Sequence, residues 1–69
     1  MANHVYKSVE LTGSSSTSCD DAIRNAIQRA SRTVRNIKWF QVIDTRGNVE
    51  NGDIAHWQVT LKAGFTLEE

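Results

Sequence analysis

Sixty-nine residues allow one small domain and no second core. At that size a fold hides only about 60% of the surface its unfolded chain would expose, so stability is marginal without a disulfide, a metal or a partner. Cys19 is the only cysteine, which excludes an intrachain disulfide and leaves oligomerisation as the usual support. Eight basic residues balance eight acidic ones, so no overall field draws the chain to nucleic acid or to an anionic membrane. No apolar run approaches the ~20 residues of a membrane span, and "MANHVYKSVE" lacks the apolar core of a signal peptide. The expected location is the cytoplasm, where a lone thiol is at home.

From His4 to Thr12 the chain alternates, with Val5, Val9 and Leu11 on one parity and Tyr6, Ser8 and Glu10 on the other. Lys7 interrupts the apolar set, but the pattern predicts a first strand that ends at Gly13. The polar stretch "SSSTS" follows, and its last residue, Ser18, is placed to cap a helix. Asp21 stands three residues on, where a capping box would carry Glu or Gln.

The spacing then predicts a helix from Cys19 to Asn36, with one apolar stripe through Ala22, Ile23, Ala26, Ile27, Ala30, Val34 and Ile37. Asp20 and Asp21 at its start suit the helix dipole, as do Arg29, Arg32, Arg35 and Lys38 toward its end. "KWFQVIDT" reads as a second strand and "RGNVENGD" as the turn after it, with Gly47, Asn51 and Gly52 as turn formers. A long third strand runs from Ala55 to Leu67, carrying Trp57, Val59, Leu61, Ala63, Phe65 and Leu67 on one parity. Strand, helix, strand, strand gives an α+β fold: a β-α-β-β chain whose three-stranded antiparallel sheet is partly wrapped round one helix.

Alternation divides this sheet into two faces. Phe40 and Val42 join the helix-facing set, and Trp39, Gln41 and Ile43 are expected on the opposite face with His56, Gln58 and Thr60. A tryptophan, an isoleucine, a neutral amide and a histidine suit neither a dry core nor free solvent. That face has the composition of an interface. From spacing alone, Trp39 fits a protein–protein anchor as well as it fits a ligand platform.

Taken in order, "VYKSVELTG", "DDAIRNAIQRASRTVRNIKWFQV", the "RG" after the second strand and "HWQVTLKAGFTLEE" resemble the dodecins, a family of small flavin-binding proteins. The likeness spans nearly the whole chain, so residues 1–69 are expected to form a single dodecin-like domain. It implies a hollow homododecamer that binds flavins in pairs between subunits, each isoalloxazine ring sandwiched between a tryptophan and its neighbouring flavin. Trp39 matches that tryptophan, and Gln58 matches the glutamine that hydrogen-bonds the pyrimidine edge of the flavin. Arg46 matches a basic position beside the site in bacterial members.

The residue types suit that role. An indole offers a broad, electron-rich face for an electron-poor isoalloxazine, and an amide carries both donor and acceptor for the ring edge. The expected function is therefore non-catalytic: FMN or riboflavin held for storage, sequestration and photoprotection, with no catalytic residue, nucleic acid or membrane involved. The rivals are a dodecin-fold structural or ion-binding shell without flavin and a flavin-dependent oxidoreductase. Cys19 reads as a small packing residue. His4, His56 and Cys19 lack the spacing of a zinc site.

Overall fold

A computed structural model describes residues 3–67. Four elements follow one another: β1 (Tyr6–Ser15), α1 (Cys19–Ala30), β2 (Ile37–Glu50) and β3 (Asp53–Thr66). The strands form one antiparallel sheet in the order β1-β3-β2, with the longest-range pairing between β1 and β3. The β-α-β-β order and the antiparallel three-stranded sheet are those expected from the sequence.

α1 begins as its capping residues dictate. Ser18 holds extended backbone, and its hydroxyl accepts the Asp21 backbone N–H at 3.0 Å. The Asp21 carboxylate accepts the Ser15 hydroxyl at 2.7 Å, tying the end of β1 to the first helical turn. The other end departs from expectation, because the helix stops at Ala30 rather than Asn36. Ser31 donates its hydroxyl to the Ile27 carbonyl at 2.8 Å, and the Thr33 and Val34 N–H groups both converge on the Ala30 carbonyl. Side-chain bonds back to the helix backbone and two β-branched residues favour a turn over further helix. Asn36, at φ 65°, then takes the left-handed conformation that swings the chain into β2.

The strands are longer than their alternation suggests. β1 passes through Gly13 to Ser15, since Gly13 lies directly beneath the helix rather than in a turn. A Cβ there would run into the Ala22 carbonyl oxygen and come within 2.9 Å of the Ala26 Cβ. β2 absorbs most of the stretch expected to be a turn. The reversal is confined to Asn51 and Gly52, whose φ values of 53° and 76° give the paired left-handed residues that a tight Asn-Gly hairpin requires. Glu50 and Asp53 close that turn as a register pair.

Core formation is concentrated on β1 and β3. Ala22 and Ala26 of the helix meet Val59 and Leu61 of β3, all buried, and Leu11, Cys19, Ile23 and Ile27 pack round them. Cys19 thus sits where a small apolar residue is wanted. β2 lies beyond this core. Phe40 and Val42 pair with Ala63 and Leu61 on the helix side of the sheet, yet Phe40 keeps 49% of its surface exposed. The expectation that Phe40 is covered by the helix is therefore corrected: one short helix cannot roof a third strand. Among the described residues no helix is long and apolar enough to cross a membrane.

Candidate functional site

The face opposite α1 is built from even-numbered residues of β1 and β3, because Gly13, Val59, Leu61 and Ala63 point their side of the pleat at the helix. Tyr6, Ser8, Glu10 and Thr12 stand beside Thr66, Gly64, Lys62 and Thr60. At the centre the Thr12 and Thr60 hydroxyls bond each other at 2.9 Å. That pair closes the middle of the face with its own polar groups satisfied.

Trp39 joins this face through a break in register. Ile37 pairs with Phe65 but Trp39 pairs with Gly64, so Lys38 is an extra residue and the alternation of β2 switches sides there. The indole then lies across the middle strand. A Cβ added at Gly64 would collide with the indole, at the two carbons shared by its rings and at Cζ2 beside them. Glycine is the residue that lets this ring rest on backbone. Trp39 rests on Gly64 yet retains 40% exposure, so a good part of the residue remains open to solvent.

A second break does the same for Arg46. Val42 pairs with Leu61 and Asp44 with Thr60, which leaves Ile43 without a partner in the ladder. Simple alternation from Trp39 would send Arg46 to the helix side; the bulge at Ile43 returns it, paired with Gln58, to the side of Trp39. Its Nε donates to Gln58 Oε1 at 3.1 Å, and its Nη1 meets Asp44 Oδ2 at 3.2 Å. Ile43, expected on the Trp39 face by parity, is the extra residue of this bulge, and the ladder pairing assigns it to neither face.

All three residues singled out in the sequence thus lie on one face, but they form two groups. Trp39 stands over Gly64, and the Gln58–Arg46 pair lies six residues away along β3. At the ~3.3 Å rise of a strand residue that is about 20 Å. Sequence reasoning missed Gly64, Asp44 and Tyr6, whose ring centroid is 6.0 Å from that of Trp39. A glycine inside an otherwise alternating strand was the available signal for the first; no local pattern marked the others.

A family model described as Dodecin matches residues 5–68. The chain is 43% identical to the dodecin of Thermus thermophilus over 65 residues, covering 94% of each chain. It is 30% identical to the calcium dodecin of Mycobacterium tuberculosis over 63 residues, covering 91% of this chain and 89% of the other. The solved dodecin from Streptomyces davaonensis superposes with a TM-score of 0.94 at 50% identity, over 99% of this chain and 100% of that one. With the family model and the backbone superposition each covering nearly the whole chain, this chain belongs to the dodecin family.

Proposed function

We propose that this chain is a non-catalytic flavin-binding protein of the cytoplasm, assembled as a homododecamer that holds FMN or riboflavin for storage, sequestration and photoprotection. The observation that carries the reading is the indole of Trp39, seated on Gly64 and still 40% exposed. A flat aromatic ring fixed from below is a platform for another flat aromatic ring, and aromatic pairs contribute about 0.5–1.5 kcal/mol beyond area burial.

Gln58 supplies the polar recognition. Its amide carries a carbonyl and two N–H donors, matching the alternating carbonyl and N–H groups of the flavin pyrimidine edge. Arg46 already occupies part of the Oε1 capacity, which sets the orientation of the amide and directs its Nε2 donors elsewhere. About 20 Å separates Gln58 from Trp39 within one chain, more than a tricyclic ring can bridge. A flavin stacked on Trp39 and read by Gln58 therefore draws on two copies of the chain. Self-association about this face makes the site, and the large exposed residues of β2 favour it.

The mycobacterial relative is named for calcium, which makes an ion-binding shell the alternative. Among the described residues no three of His, Cys, Asp and Glu gather where they would hold a metal ion. Asp44, the acid beside Gln58, is engaged by Arg46. The features that favour flavin are the indole seated on Gly64 and the amide of Gln58.

Titrating flavin-free protein with riboflavin and FMN tests the reading. Saturable quenching of flavin fluorescence near one flavin per chain is expected, with loss of tight binding in Trp39→Ala and assembly intact. Free-flavin fluorescence over a correctly assembled shell would reject flavin storage and leave the ion-binding shell.

A further inference from the structure

The geometry points to Tyr6 as the end wall of the ring slot, a contact residue for the ligand in addition to Trp39; this rests on the reading of the face as an aromatic-ligand site. The strand order places β3 between β1 and β2. A side chain from β2 meets one from β1 only by crossing the middle strand. Trp39 does so because Gly64 offers no side chain, and its indole reaches Tyr6, which pairs with Thr66 one step further along the same face.

Two orientations define the shape. The indole rests over Gly64, with Cε2, Cζ2 and Cδ2 where a Cβ would project. The Tyr6 ring lies beside that platform on the neighbouring register pair, inclined to the indole by 59° at a centroid distance of 6.0 Å. Floor and wall meet at one corner. The His4 ring is a further neighbour of Tyr6, 6.3 Å away and inclined by 53°.

A planar ligand on the exposed part of Trp39 has its edge against the side of the Tyr6 ring, an edge-to-face arrangement that aromatic pairs favour. The wall stops the ring sliding toward the Tyr6 end of the sheet and obliges any flexible substituent to leave in another direction. Tyr6 keeps nearly half its surface exposed, so its ring is available to a ligand as well as to Trp39. The contact depends on the ring rather than the hydroxyl.

The test compares Tyr6→Phe, Tyr6→Leu and Trp39→Ala in the assembled protein, by riboflavin titration and by the visible circular dichroism of the bound flavin. Phe keeps the wall and should bind within about twofold of the parent, whereas Leu keeps apolar bulk without a flat edge and should bind about five- to tenfold more weakly, the scale of one aromatic contact. Its bound flavin should also show an altered dichroism band, which a loss of stability alone would not produce. Parent-like affinity and dichroism in Tyr6→Leu, or equal losses in Phe and Leu, would overturn the wall. If Trp39→Ala also binds like the parent, the flavin reading itself falls; if only Trp39→Ala loses binding, that reading stands without the wall.

Discussion

Arg46 and Gln58 face each other across β2 and β3, with Arg46 Nε donating to Gln58 Oε1 at 3.1 Å. The pair exists because a bulge at Ile43 changes the side on which Arg46 emerges. Its isolated strength is small, since both groups are accessible to water. Its effect on a ligand is to hold an amide that would otherwise rotate.

Gln58→Ala should weaken flavin binding by about 1–3 kcal/mol, as for loss of one partner in a buried polar contact. Arg46→Ala should cost less than about 1 kcal/mol, and the double variant should cost less than the sum, because Arg46 acts through an amide that is no longer there. Isothermal titration of the four proteins measures this. Strict additivity would mean that the two side chains act separately.

Gly64→Ala should expel the indole from its floor without touching the helix. Flavin affinity is expected to fall about tenfold or more, near 1.4 kcal/mol, while the tryptophan emission of the flavin-free protein shifts as Trp39 moves. A variant that binds flavin like the parent would show that the seating of the ring on Gly64 is dispensable.

Ser18→Ala removes the hydroxyl that accepts the Asp21 N–H and should destabilise the protein by about 1 kcal/mol. Denaturant unfolding at fixed protein concentration reads this directly. Flavin affinity, measured on the folded variant, should stay unchanged because the cap lies on the other side of the sheet. A shared loss would tie the cap to the site.

Light scattering after size exclusion should report a large closed assembly and no stable monomer. All of β2 beyond Ile37 is exposed in the single chain, including Val42, Ile43 and Val49. A monodisperse monomer at micromolar concentration would contradict that expectation, together with every site that needs two copies.

How far the sequence could be read followed from what each feature depends on. The helix start, the three strands and the buried set of Val59, Leu61 and Ala63 were legible because capping and alternation are local. The helix end was not, since Val34 and Ile37 continue the apolar stripe after Ser31 and Thr33 have turned the backbone. Trp39 and Gln58 were placed on the right face, but for Trp39 simple parity succeeded only because the extra residue lies at Lys38, before it. Arg46 needed the bulge at Ile43, for which nothing in "QVIDTRG" is diagnostic. The approach of Trp39 to Tyr6 needed the strand order, a tertiary fact.

The two extra residues of β2 matter before any ligand arrives. β2 is a sheet edge of 14 residues without proline, the kind of open ladder on which unrelated chains can nucleate extended aggregates. Lys38 and Ile43 interrupt its repeat and twist its outer rim, and the first also sets a charge there. The irregularities that aim Trp39 and Arg46 therefore also make that edge a poorer template for such pairing.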